Sequence, residues 1–537
     1  MARLLQYNVF GRGRSLRWAI TIACQKFEID CHAQFVLFGY DQGVFSGIVG
    51  NEDFRNTFGY PGSAEEGIIV SIYNLGAFSG CIVNFFLGEK MGRRLCMWVA
   101  MGFIIGGAIL QTTSYSVPQV LVARYVTGIG TGIETSTVPM YQSELCDADK
   151  RGRLVSSEPL FVGVGIVIAY FFDYGMSFVG GSAAWRVPIA CQIIFAVVVI
   201  VLVFGLPESP RWLYARNRNE EALQVMCDVW DCGPDGEKVQ KMQSDILGAL
   251  ELERKHGEYK WRQIFKRDEV QTGRRVLLAY GMQFMNQMGG INLVVYYVPS
   301  ALENNVGLTR NLSLLIGGAV QCMFFVGSLL PTFFLDQMGR RRPMMWGSLG
   351  LALSMMMISI LLSFQKPPEE RTDLSIKTAQ ASVTFFFTYM LVFGATANCI
   401  PWVYVPEILP LHARAKGTAI GISSNWLWNF FVVMVTPTLL NSLAWKGYLI
   451  FMALNFSFIP LVYFFYPETS NLTLEEIDFL FTTDGADGLY RFGRKSQPVK
   501  ESLRPNEEIL QDVERRRSSL GGAEKGEQVE RIDDKAS

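Results

Sequence analysis

Gly88-Glu89-Lys90-Met91-Gly92-Arg93-Arg94 returns nearly unchanged as Leu335-Asp336-Gln337-Met338-Gly339-Arg340-Arg341. An acid, a glycine and two arginines recur at one spacing, 247 residues apart, each time directly after an apolar run. The chain therefore reads as an internally duplicated membrane protein with one charged turn in each half. The duplication extends further. Tyr141-x-x-Glu144 with Arg151 is matched by Tyr404-x-x-Glu407 with Arg414. Pro207-Glu208-Ser209 is matched by Pro467-Glu468-Thr469. The three offsets drift through 247, 263 and 260, as loop insertions produce.

Composition agrees with a bilayer. Half of the 537 residues are hydrophobic and only 18% are charged, whereas a soluble domain carries about a quarter. A net charge of −1 gives no field for nucleic acid. The ten cysteines form no CxxC and no cluster with His32, His256 or His412, so neither a metal nor a cofactor is expected. No nucleophile–base set stands out, which argues against an enzyme. Gly128-x-Gly130-x-Gly132 lies inside an apolar run and reads as helix packing rather than a nucleotide loop.

Apolar runs approaching the roughly 20 residues needed to span a bilayer recur twelve times. They fall near 35–50, 66–87, 95–111, 118–140, 155–173, 186–206, 276–298, 312–335, 343–363, 380–403, 418–440 and 447–466. The predicted fold is an all-α membrane protein of twelve transmembrane helices in two six-helix halves. Basic residues cluster before span one and after spans two, four, eight and ten. The positive-inside rule then puts both termini in the cytoplasm. The loop 364–379, with Lys366, Arg371 and Lys377, fits that rule least well. No cleavable signal peptide is expected, since no small-residue cleavage site follows Arg12, Arg14 and Arg17.

The predicted organisation is an N-terminal segment 1–34, a first half 35–206, a linker 207–272 with short surface helices, a second half 273–466 and a polar, mostly disordered tail 467–537. The segment 25–34 is anomalous. It carries Lys26, Glu28 and Asp30 between two apolar stretches, and without residues 26–34 the region 18–50 would be one ordinary span. Either the insert is a gene-model error, or span one begins near 34 behind a cytoplasmic amphipathic helix.

The repeated charges suggest a gate. Arg93 and Arg94 can meet Glu144, Arg151 and Glu208, while Arg340 and Arg341 can meet Glu407, Arg414 and Glu468. Glu89 and Asp336 complete the two sets, and the longer Glu89 reaches further than Asp336. Exposed pairs stabilise by only about 0–1 kcal/mol each. A network can bias a two-state protein by a few kcal/mol. The plain alternative is that the arginines only fix topology.

These motifs together resemble the sugar porter family of the major facilitator superfamily, over roughly 35–480. The carriers of the resemblance are Val126–Gly132 through Tyr141, Glu144 and Arg151, and Pro207-Glu208-Ser209-Pro210-Arg211-Trp212-Leu213. Further ones are Gln283–Gln287 with Gly290-Ile291-Asn292 and Tyr296-Tyr297, then Pro401-Trp402-Val403-Tyr404 and Tyr466-Pro467-Glu468-Thr469. The ending, with Asn425-Trp426-Leu427-x-Asn429, is similar to fungal sugar and polyol proton symporters. The resemblance implies alternating access, with the charged network latching the outward-facing state.

It also implies site residues. Asp41, inside span one, would be the proton site and Arg124, in span four, its counter-charge. An unpaired carboxylate in a span costs at least about 2.5–3.5 kcal/mol, so Arg124 is the natural partner. A permanent ion pair in a uniporter is the alternative. Gln283, Asn286, Gln287, Asn292, Asn425 and Trp426 would bind sugar or polyol, because amides both donate to and accept from vicinal hydroxyls. Some of these amides could instead only join helices.

Three departures stand against a simple hexose carrier. Pro159 replaces an expected glutamine, with Glu158 beside it. Ala397-Asn398 replaces a Trp-Gly pair, and Asn286 replaces the first glutamine of a pair. Glu134, in the middle of span four, is a further intramembrane acid of open role. The expected function is proton-coupled import of a sugar or polyol across the plasma membrane. A sensor without flux, or a carrier of quinate or another metabolite, is the alternative. The expected partners are a small sugar or polyol, a proton and the lipid bilayer.

Overall fold

Among the described residues the twelve apolar runs become twelve helical passages, ten of them single helices and two broken. The protein was analysed as a computed structural model that describes residues 33–145, 151–256, 264, 268, 271–365, 372–410, 413–470, 472, 477, 480 and 481. Among these residues there is no strand.

The first half contains α1 (Ala33–Ile48), the short loop helix α2 (Glu52–Thr57), α3 (Ser63–Met91), α4 (Arg93–Thr112), α5 (Val117–Leu145), α6 (Arg151–Ser177) and α7 (Ala183–Phe204). Three small helices follow: α8 (Pro210–Ala215), α9 (Asn219–Trp230) and α10 (Glu237–His256). They share a small apolar core of Leu213, Tyr214, Ala222, Met226 and Val239. The second half repeats the pattern with α11 (Thr272–Met288), α12 (Ile291–Ala301), α13 (Arg310–Met338), α14 (Arg341–Ser363), α15 (Asp373–Ala395), α16 (Ile400–Ile408), α17 (Arg414–Leu443) and α18 (Lys446–Phe465). At about 1.5 Å per residue, the 29-residue α3 and α13 exceed the roughly 30 Å hydrocarbon core, so their charged ends stand clear of it.

Nine of the twelve passages, among the described residues, are long and apolar enough to cross a membrane on those grounds alone. Of the other three, two miss for physical reasons. The described part of α1 has only 16 residues. Helix α5 is diluted by Arg124, Glu134 and several glycines. Span seven is broken at Gly289–Gly290, where Gly290 takes φ +97°, a left-handed conformation suited to glycine. Span ten is also broken, between α15 and α16.

The halves meet along two seams, α3 against α17 and α6 against α13. These are spans two and eleven, and spans five and eight, so the duplication maps one seam onto the other. Within the first half, α3 and α5 approach backbone to backbone. A Cβ at Gly128 would lie 2.1 Å from the Tyr73 carbonyl oxygen, and one at Gly132 would lie 2.0 Å from that of Ala77. The Gly-x-Gly-x-Gly stretch is therefore a packing surface.

Helix α1 begins at Ala33 among the described residues, and Gln34 is buried with Nε2 3.8 Å from the Met97 sulfur. Most of the anomalous polar segment, residues 25–32, lies outside the described residues, as does the tail beyond 481.

Candidate functional site

The repeated turns form two matching charge clusters. Gly92 and Gly339 take φ +87° and +75°, so each chain reverses at a residue without a side chain. A Cβ there would come within 2.7 Å of Glu208 Oε2 and 2.8 Å of Glu468 Oε2. That close approach lets each glutamate cap the helix that follows. The Arg93 amide donates to Glu208 at 2.9 Å and the Arg94 amide at 3.4 Å. The Arg340 and Arg341 amides donate to Glu468 at 2.8 and 3.0 Å. A carboxylate on the first amides of a helix satisfies orphan donors and complements the dipole.

The arginine side chains face the other acid of each set. Arg93 grips Glu144 through two nitrogens at 2.8 and 3.1 Å. Arg340 grips Glu407 at 2.8 and 3.2 Å, and Thr469 adds a hydroxyl donor to Glu407 at 2.6 Å. Tyr141 and Tyr404 donate to the carbonyls of Pro207 and Pro467 at 2.7 and 2.9 Å. Each set thus joins three chain segments of its own half. The Arg94 guanidinium donates to the Phe204 carbonyl at 2.9 Å, that of Arg341 to the Tyr463 carbonyl, and that of Arg414 to the Leu409 carbonyl at 3.4 Å. The side chains of Glu89, Arg151 and Asp336 lie outside the described set. Burial, the strongest influence, raises the Glu208 pKa, against three backbone amides and the Arg93 charge. The capping role of Glu208 and Glu468 was missed from sequence, because its partners are backbone groups brought close by folding. The glycine directly before each arginine pair, Gly92 and Gly339, was the only local hint.

Between the halves lies a buried polar interior. Asp41 is 2% exposed; neither carboxylate oxygen makes a close hydrogen bond, and its polar neighbours are the Tyr73 hydroxyl and the charge of Arg124. Arg124 makes no contact ion pair with Asp41, although each lies in the other's field. Arg124 instead donates to the Val70 carbonyl at 2.8 Å, with its guanidinium carbon 3.6 Å from the Phe45 ring centre and 5.3 Å from that of Tyr73. A backbone carbonyl and two aromatic faces hold the cation, which leaves Asp41 without a contact ion pair. Glu134 is equally buried, with both oxygens unpartnered, and it feels the charge of Asp41. Glu158 is buried, with Oε1 unpartnered.

The amides of span seven divide into two kinds. Gln287 donates to Asn425 Oδ1 at 2.6 Å and to Asn286 Oδ1 at 2.9 Å, while Asn292 donates to Gln287 Oε1 at 2.5 Å. These side chains hold one another across α11, α12 and α17. Gln283 is fully buried, yet neither atom of its amide has a partner. The indole nitrogen of Trp426 is likewise buried without a close hydrogen bond, with the Cys81 thiol as its polar neighbour and its ring 5.5 Å from that of Phe38 across the two halves.

Two departures noted in the sequence turn out to be partners. Breaking span ten frees the Ala397 carbonyl, and Asn286 Nδ2 donates to it at 2.7 Å. Asn398 donates to Ser328 at 3.1 Å. Asn286 thus braces a broken helix and is only in part available to a ligand.

A twelve-passage duplicated bundle with paired motif turns and a polar centre meets its family here. The profile described as "Sugar (and other) transporter" matches residues 30–481. The chain belongs to that family. It is 36% identical over 514 residues to the MFS-type transporter oryC of Aspergillus oryzae, covering 93% of this chain and 94% of that one. It is 33% identical over 524 residues to the Sugar transporter STL1 of Saccharomyces cerevisiae, covering 95% and 88%. Its fold matches the proton:xylose symporter XylE bound to 6-bromo-6-deoxy-D-glucose, with TM-score 0.71, 25% identity, and coverage of 87% of this chain and 99% of that one. As a member of the family, this chain is a multi-pass membrane transporter and not an enzyme.

Proposed function

We propose that the transporter imports a neutral sugar or polyol with a proton, across the plasma membrane, by alternating access between its halves, with both termini cytoplasmic. The observation that carries this reading is the set of unpartnered polar atoms in the buried centre, both amide atoms of Gln283 and the carboxylate of Glu134, beside an Asp41 and a Trp426 that make no close hydrogen bond. Leaving such a group unsatisfied costs about 1–3 kcal/mol, so the resting partners are water, a proton or a ligand. Gln283 and Trp426 bind substrate, while Gln287, Asn292 and Asn425 shape the wall behind them.

Asp41 carries the proton. Freed from a contact ion pair, it exchanges a proton without dismantling the seat of Arg124. The two capped arginine clusters make each half rigid at its charged end, and the latch between states acts through those rigid ends. The centre holds the three carboxyl groups Asp41, Glu134 and Glu158 against one arginine already engaged. An anion such as quinate would call for a further cation in this centre, and the described residues there offer only the engaged Arg124. The likeness to STL1 and to XylE, by their names a sugar transporter and a proton:xylose symporter, supports the same substrate class.

The test is uptake in a yeast strain lacking its own hexose carriers. Labelled hexoses, pentoses, glycerol and quinate are supplied with and without a protonophore. Protonophore-sensitive accumulation of a neutral compound is expected. Uptake of none, with the protein present at the surface, overturns the reading in favour of a sensor.

A further inference from the structure

At the end opposite the two motif turns, a cavity of about 480 Å³ lies between the halves. That volume is within the roughly 300–1,000 Å³ of small-molecule sites. Arg55 and Glu66 line it from the first half, and Tyr297, Glu303, Asn305 and Asn441 from the second. Its floor is closed. Val49 and Tyr297 belong both to its wall and to the apolar core, and the Tyr297 hydroxyl donates to the Val433 carbonyl at 3.1 Å. The two halves are tied around it. Asn441 Nδ2 donates to Ser63 Oγ at 2.5 Å, and the Arg310 guanidinium donates to the Gly47 carbonyl.

The lining chemistry selects a ligand class. Asn305 and Asn441 both donate and accept, Glu66 and Glu303 accept, and Arg55 donates, its Nε buried without a partner. The charges are locally balanced. Glu303 pairs with Arg310 at 3.3 Å, and Glu66 lies within the field of Arg55. An anion or a cation therefore gains little, while a neutral molecule with many hydroxyls finds donors, acceptors and the Tyr297 ring.

We propose that this vestibule is a second binding site for a neutral polyhydroxylated ligand, occupied while the centre is sealed from it. The ligand class rests on the transport reading; the site does not. Because both halves supply contacts, an occupant holds this end shut until it leaves or passes inward.

Purified full-length protein in detergent carries Ser300→Cys, in the vestibule lining, and its modification by a charged methanethiosulfonate reagent is timed, with the wild-type rate subtracted. D-Xylose, D-glucose, D-sorbitol and quinate are the probes. At least one neutral probe is expected to slow modification severalfold, and quinate is not. That protection is expected to survive Gln283→Ala in the centre and to fall with Asn305→Ala in the vestibule. Absence of protection, protection by quinate alone, or any other dependence on the two variants overturns the proposal. Asn304→Cys, in the same lining, replaces Ser300→Cys if the latter does not fold. Protection without cellular uptake would strike the transport reading alone, and uptake without protection would strike the vestibule alone.

Discussion

Replacing Glu208 and Glu468 separately by alanine tests whether these acids act as helix caps. Glu208 accepts from the amides of Arg93, Ser209 and Arg94 at 2.9, 3.0 and 3.4 Å. Glu468 accepts from Arg340, Arg341, Thr469 and Ser470 at 2.8, 3.0, 3.1 and 3.2 Å. Hydrogen bonds to a charged group are worth about 1.5–3 kcal/mol each, but bonds sharing one carboxylate do not add in full. Losing a cap costs about 1 kcal/mol, and the helix dipole adds up to about 2 kcal/mol at a partly buried terminus. Glu208→Ala should therefore destabilise by about 3 kcal/mol, and Glu468→Ala, with one more amide and tighter contacts, by about 4–5 kcal/mol. Glutamine keeps one acceptor oxygen and should recover about half of either loss. Thermal denaturation of purified protein, followed by the surviving monodisperse fraction, gives the order. Glu468→Ala should melt lowest, then Glu208→Ala, then the glutamine variants, with wild type highest. Equal melting of Glu208→Ala and wild type, or a larger effect at 208 than at 468, would refute the amide-counting argument.

Three other outcomes are expected. Asp41→Asn should abolish uphill accumulation while exchange across the membrane continues; accumulation driven by a proton gradient in that variant would remove Asp41 from the coupling role. Gln283→Ala should raise KM about 3–10-fold with the melting temperature unchanged, since a neutral hydrogen bond is worth about 0.5–1.5 kcal/mol and this amide has no protein partner to lose. Gln287→Ala should instead lower the melting temperature, because it removes contacts to Asn286, Asn292 and Asn425; the opposite pattern would reverse the two roles. Gly132→Val should prevent accumulation of folded protein at the surface, as even a Cβ would sit 2.0 Å from the Ala77 carbonyl oxygen; normal surface levels would show that α3 and α5 can separate freely.

The repeated turn, the twelve apolar runs and the glycine spacing in span four determined the fold by themselves. Membrane length, charge after a span and small residues at a helix seam are local or periodic properties, so they are written directly in the chain. The sequence also grouped the charges into two sets, Arg93 and Arg94 with Glu144 and Glu208, and Arg340 and Arg341 with Glu407 and Glu468, without saying which arginine takes which acid. Tertiary structure decided what each polar group touches. Asp41 and Arg124 are opposite charges of suitable depth, yet a carbonyl and two rings hold the arginine and leave the acid without a contact ion pair. Asn286 and Ala397, 111 residues apart, are two unrelated oddities in sequence and one hydrogen bond in space. Glu208 and Glu468 read as partners for guanidinium groups and serve as caps, because glycine at φ +87° and +75° lets backbone amides reach them first. Residue types fix how much charge and hydrogen-bonding capacity a membrane interior must satisfy. Only the packing of helices distant in sequence assigns each group its partner, and the groups left without one mark where water, a proton or a substrate belongs.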